Sequence, residues 1–230
     1  MEEPKTPPST NQNILNELGP ERTNPSGDFF EFIKDLIKTG LIVFILAFAL
    51  RYFVIQPYIV EGESMMPNYY NREYLLAEKV SYLIGEPKRG DVTIFKYPKN
   101  PSVSYIKRII GLPGETIKIS NNQVIVVNKE NPTGKILNES YIPKENRTNT
   151  YEGNSFEKTL NENEYFVLGD NREHSSDSRE WGVLPKTNIS GRAWVTLYPT
   201  DRISIHQRVT YSLDELKTFS LGLYERALAL

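Results

Sequence analysis

The chain has 230 residues, 24% of them charged, with a formal net charge of −2, so its charge balance gives no reason to expect nucleic acid as a partner. It has no cysteine, which removes disulfides, thiol nucleophiles and cysteine metal sites together; two histidines are too few for a histidine-rich metal centre.

Residues 1–28 hold five prolines among Asn, Ser, Thr and Glu and read as a disordered spacer without chemistry. Apolar residues dominate from Phe29, and Thr39–Leu50 contains no charge. Thr39 to Ile55 is about 17 residues, near the lower limit for one bilayer span, so residues 29–56 are assigned to a membrane anchor. Arg51 can snorkel to the headgroups, Tyr52 and Phe53 suit the interface, and Pro57 is expected to stop the helix. A buried core helix and a cleaved signal peptide are the competing readings. The late start after an acidic tail, and Gln56-Pro57-Tyr58 in place of a small-residue site, weigh against cleavage. Lys34 and Lys38 on the amino-terminal flank, against Arg51 on the other, favour a cytoplasmic tail.

Strand signals follow at Glu73–Val80, Asp91–Tyr97, Ser104–Ile110, Thr116–Ile119, Val124–Asn128, Glu164–Leu168 and Arg192–Leu197. Asn121-Asn122 marks a hairpin turn. The fold expected is mainly β: one N-terminal transmembrane helix, then an antiparallel β domain over residues 57–207, with 129–163 as a polar loop or small insertion. Ser212-Leu213-Asp214-Glu215 is a capping box, so 208–230 reads as a helical tail that packs on the domain or touches lipid.

Three blocks carry candidate chemistry. Ser64 lies in Gly62-Glu63-Ser64-Met65-Met66-Pro67, a turn where a serine serves either as a local hydrogen bonder or as a nucleophile. Lys107 lies in a strand that puts Tyr105, Lys107 and Ile109 on one face and Ile106, Arg108 and Ile110 on the other. It is either an edge lysine facing water or a buried amine whose reference pKa of about 10.4 is lowered enough for it to act as a base. Gly169–Arg179 packs Asp170, Arg172, Asp177 and Arg179 among hydroxyl and amide side chains, at the end of the apolar run Tyr165-Phe166-Val167-Leu168. It is either a polar surface loop or a site built at a strand end.

Taken in order behind one apolar segment, the three blocks resemble the bacterial type I signal peptidases. Those enzymes carry a Gly-x-Ser-Met-x-Pro box, a Tyr-x-Lys-Arg-x-x-Gly-x-Pro-Gly box and a Gly-Asp-Asn-x-x-x-Ser-x-Asp-Ser-Arg box; Arg89-Gly90-Asp91-Val92 also fits the family. The resemblance covers roughly residues 30–200. It implies a membrane-bound serine endopeptidase that removes signal peptides from exported preproteins after small-x-small sites such as Ala-x-Ala. Ser64 would be the nucleophile, Lys107 the general base and Ser175 the residue orienting it. Asp170 with Arg108, and Asp177 with Arg179, would be supporting ion pairs. Met65, Tyr105 and Ile106 would line the substrate cleft. It implies no metal or other cofactor, and as partners preproteins, the lipid bilayer and the secretion translocon. The catalytic domain would lie on the extracytoplasmic side of the plasma membrane.

Four positions depart from the family pattern or bear on it. Gly62 stands where many members have a serine that helps bind the oxyanion. Asn68 replaces a threonine and is expected to be neutral. Glu61 and Glu63 would oppose a basic lysine unless they face away from it. The rival readings are a self-cleaving repressor-type Ser-Lys protein, which would carry a DNA-binding head, and an inactive or specialised membrane-tethered β binding domain.

Overall fold

The computed structural model describes residues 25–143, 145, 148, 155–209 and 211. The proposed spacer up to residue 24, part of the 129–163 insertion and the capping-box segment lie outside the described residues. The chain divides between Phe48 and Ala49 into two units.

Helix α1 spans Pro25–Ala49, with proline at its first position, where the missing N–H costs nothing. It runs on into a π-helical turn, Leu50–Val54, where the Ile55 N–H reaches back to the Leu50 carbonyl. Phe29–Val54 is 26 residues and contains an 18-residue stretch of mean hydropathy 1.9, long and apolar enough to cross a membrane. None of it is buried, and Phe29, Phe44 and Leu46 are exposed, unlike the mostly buried core helix of a soluble protein. The helix begins before the expected Phe29 and ends at Val54, before Gln56. Pro57 does not stop it. It sits inside strand β1 (Ile55–Ile59), opposite Leu76, on a sheet edge where a missing N–H is tolerated.

The second unit is built from antiparallel strands. β2 (Tyr74–Glu78), β3 (Val92–Tyr97), β4 (Asn100–Gly111), β5 (Thr116–Ser120), β6 (Gln123–Val127), β9 (Glu164–Leu168) and β11 (Ile189–Tyr198) lie at the seven runs of β-branched and aromatic residues expected to be strands, with ends that differ by a few residues. β7 (Lys135–Ile136), β8 (Ser155–Thr159), β10 (Leu184–Pro185), β12 (Ser204–Ile205) and the short helices α2 (Val80–Ile84) and α3 (Ser178–Trp181) were not expected. The main sheet runs β1-β2-β11-β3-β4-β9-β10, with β12 paired to β11; a second sheet runs β7-β6-β5-β8. Residues 129–163 are therefore more than a loop. β7 and β8 flank the smaller sheet, and Leu137 and Leu160 enter its core.

That core joins the sheets: Ile110, Phe166 and Leu168 from β4 and β9 pack on Ile117, Ile119, Val124 and Val126 from β5 and β6. A second cluster, Met65, Tyr69, Leu75, Val92 and Ile94 with Ile106 against it, lies beneath the Ser64 loop. A third gathers Phe95, Ile109, Tyr165, Val167 and Trp181, with Tyr105 packed on it. β4 contributes to all three, so its central residues are held from both faces.

Candidate active site

Beyond β1 the chain leaves the sheet in an excursion closed by Val60 N–H to Glu73 O (2.9 Å) and Arg72 N–H to Val60 O (2.8 Å). Met65 and Tyr69 sink into the core and anchor it, which leaves Ser64 at the boundary between exposed Glu63 and buried Met65. Gly62 adopts φ +90°, a conformation that disfavours any side chain, and its N–H is taken up by Asn71 Oδ1 at 3.1 Å.

Lys107 occupies the middle of β4, opposite Thr93 of β3, and is 4% exposed. Its Nζ lies 2.6 Å from Ser64 Oγ and donates to the Ile106 carbonyl at 2.9 Å. The Tyr105 ring centroid is 5.4 Å away. Burial lowers the lysine pKa to about 8, outweighing the attraction of Asp177 and Asp170, which acts in the opposite direction. An amine deprotonated near that pH, within hydrogen-bond reach of a serine hydroxyl, can take its proton.

The third block clamps the Ser64 loop. The Asn171 N–H donates to the Ser64 carbonyl at 3.0 Å, and its side-chain amide to the Glu63 carbonyl at 3.2 Å. Gly169 permits this approach: a Cβ there would overlap Ser175 Oγ and lie 2.5 Å from the Ser64 carbonyl oxygen. Ser175 is buried in the same junction. Asp177 accepts from the Gly169 N–H (3.0 Å), caps α3 through the Arg179 N–H, and binds the Arg179 guanidinium at 2.8 Å through both carboxylate oxygens. Arg108, turned to the opposite face from Lys107, donates to Asp170 through Nε and Nη2 at 2.8 and 2.6 Å and through Nη1 to the Gly90 carbonyl at 2.9 Å. Burial would lower its pKa, but Asp170 more than offsets this, and the guanidinium stays charged.

A cavity of about 320 Å³ opens at Ser64 and Lys107, walled by residues 58–64 on one side and 104–107 on the other. Tyr105 and Ile106 line it. Met65 does not: instead of flooring the cleft it is buried in the core beneath, where its side chain holds the loop down. Glu61 and Glu63 are exposed on the rim, and the charges pulling on Lys107 are those of Asp177 and Asp170. His174 and Ser176 also line the cavity, although the sequence reading gave them no role.

Asn68 is tied into the site: its amide donates to Asp170 Oδ2 (2.8 Å) and to the Tyr141 carbonyl (2.9 Å). Tyr141, from the segment read as an insertion, covers the Arg108 guanidinium with its ring at 4.1 Å. Arg172 binds Glu139 and Thr148 of the same segment. Among the described residues no three His, Asp or Glu side chains converge as metal ligands.

The family model "Signal peptidase, peptidase S26" matches residues 33–198. The chain belongs to this family. It is 39% identical to signal peptidase I P of Bacillus subtilis subsp. natto over 74% of this chain and 92% of that one. It is 34% identical to signal peptidase I of Leptolyngbya laminosa over 87% and 91%. A solved signal peptidase I from Enterococcus faecalis V583 matches 46% of this chain and 96% of that one, at 32% identity and a TM-score of 0.38. The S26 match runs from the anchor helix to the end of β11 and encloses all three sequence blocks.

Proposed function

We propose that this chain is a single-pass serine endopeptidase of the plasma membrane that removes signal peptides from exported preproteins after small-x-small sites. The observation that carries the reading is the 2.6 Å approach of Lys107 Nζ to Ser64 Oγ, with Lys107 buried and its pKa lowered to about 8. Ser64 Oγ attacks the scissile carbonyl while neutral Lys107 takes the hydroxyl proton. Lys107 then gives that proton to the departing amine, leaving an acyl-Ser64 ester and a free mature chain. A water, deprotonated in turn by Lys107, attacks the ester, and Lys107 returns that proton to Ser64 Oγ as the signal peptide leaves with a free carboxyl group. The Ser64 N–H is the proposed backbone donor to the oxyanion. The Gly62 N–H is engaged by Asn71, so the second donor comes from elsewhere, such as a water.

Both cavity walls suit an extended substrate. β1 is an edge strand, and β4 pairs with β9 only from Arg108 onward, which leaves backbone at residues 104–107 open towards the cavity. Apolar side chains such as Leu75, Ile94 and Ile106 line it, which favours uncharged, apolar substrate side chains over charged ones. Lys34 and Lys38 before the apolar stretch support a cytoplasmic tail and an extracytoplasmic catalytic unit.

The test is cleavage of a preprotein bearing an Ala-x-Ala site by the detergent-solubilised chain, with Ser64→Ala and Lys107→Ala beside it. The wild type is expected to cut at that site and both variants to lose all measurable cleavage. A wild type that does not cut would favour the inactive-member reading, and cleavage by either variant would overturn the residue roles.

A further inference from the structure

The S26 match ends at Tyr198, and the chain then doubles back over the catalytic unit. β12 pairs with β11, Ile205 opposite Val195. The His206 N–H donates to the Trp194 carbonyl at 2.7 Å, its Nε2 meets Thr196 Oγ1 at 2.7 Å, and its ring lies 4.3 Å from that of Tyr69. Arg208 Nε binds Asp91 Oδ1 at 2.8 Å. Val209 and Tyr211 then press on Gly90 so closely that a Cβ there would lie 2.5 Å from the Val209 carbonyl and 3.1 Å from the Tyr211 ring. The Tyr211 hydroxyl donates to the Tyr141 hydroxyl at 3.1 Å, the two rings meeting edge to face at 6.3 Å.

Gly90 and Tyr141 hold Arg108 alongside Asp170: the Gly90 carbonyl accepts from Arg108 Nη1, and the Tyr141 ring covers the guanidinium. Tyr211 touches both. We infer that residues 199–209 and Tyr211 form a strap that positions the Arg108–Asp170 pair behind Lys107, with Tyr211 as the positioning residue. This rests on Lys107 acting as the base.

The coupling has a defined direction. Lys107 faces Ser64 and the Tyr105 ring, with Asp170 and Asp177 behind it and Glu61, Glu63 and His174 on the cavity rim. Asp177 is neutralised by Arg179, and Asp170 by Arg108. Loosening Arg108 leaves Asp170 less compensated, which favours protonated Lys107 and moves the acid limb of activity to higher pH.

The experiment compares full-length wild type, Tyr211→Ala and Tyr211→Phe in detergent, measuring kcat and KM for a preprotein from pH 6 to 10, with melting temperatures. Tyr211→Ala is expected to lose roughly three- to tenfold in kcat, to keep KM within about twofold because the strap does not line the cavity, and to shift the acid limb upward by a few tenths of a unit. Tyr211→Phe keeps the ring and is expected to restore both the rate and the limb. If Tyr211→Ala is not recovered folded, Arg208→Gln, which frees the strap from Asp91 without touching Tyr141, is expected to shift the limb the same way. A folded variant with kcat and acid limb unchanged overturns the strap. A wild type without an acid limb overturns the Lys107 assignment instead, and the strap with it.

Discussion

At the residue scale, Lys107 answers two opposing demands. Burial removes water from its amine and favours the neutral form, while Asp177 and Asp170 favour the charged form; burial wins and the pKa settles near 8. Only the neutral amine can accept the Ser64 proton. Below pH 8 the competent fraction therefore falls about tenfold per unit, and kcat/KM is expected to rise with pH to a plateau above about 8. Lys107→Arg is expected to be inactive at every pH, because a guanidinium keeps its proton. A pH profile of cleavage checks both. A level profile from pH 6 to 9, or an active arginine variant, would remove Lys107 from the proton transfer.

At the element scale, the site is a junction of three segments rather than one pocket cut into one strand. The Ser64 loop, the middle of β4 and the turn after β9 meet where Asn171 bonds to the Ser64 carbonyl, and the space is so tight that residue 169 has room for hydrogen alone. Gly169→Ala is expected to wedge Ser175 and the Ser64 loop apart. Overpacking of this kind costs about 1–3 kcal/mol, and a displacement near 1 Å can lower a rate by about a hundredfold. Cleavage rate and thermal melting together check this; a wild-type rate would mean that the junction yields without moving Ser64. Much of this element-level arrangement was legible beforehand. β3, β4 and β9 announce themselves by β-branched and aromatic runs, and the three blocks marked the segments that meet. β8 was not legible, because Ser155-Phe156-Glu157-Lys158-Thr159 is a mostly exposed edge strand with one large apolar residue. The first two residues of β1, Ile55-Gln56, were read as the end of the helix, because the stop was placed at Pro57, which the strand instead absorbs at its edge. Asn68, Asn171, Tyr141 and Tyr211 act through partners far away in the sequence, and such contacts leave no periodic signature along the chain.

At the scale of the whole molecule, the lysine proposed as the base works against the fold. Lys107 has its folded pKa lowered from 10.5 to about 8, so between those values the unfolded chain binds a proton that the folded one has lost. Stability rises with pH across that window and is lowest, from this group, below pH 8, where the folded state must hold a buried ammonium. A shift of this size corresponds to about 3 kcal/mol. Lys107→Met keeps the length of the side chain without its charge, at the expense of the bond to the Ile106 carbonyl. It is expected to melt several degrees above the wild type at pH 7, at about 2–4 °C per kcal/mol for a chain of this size. The gap should narrow as pH rises from 8 towards 10, since every other titrating group is common to both proteins. Paired thermal melts across that range decide it. A variant that melts at or below the wild type at pH 7 would mean that Lys107 is not held at a cost, and the depressed pKa on which the proposed chemistry depends would fall with it.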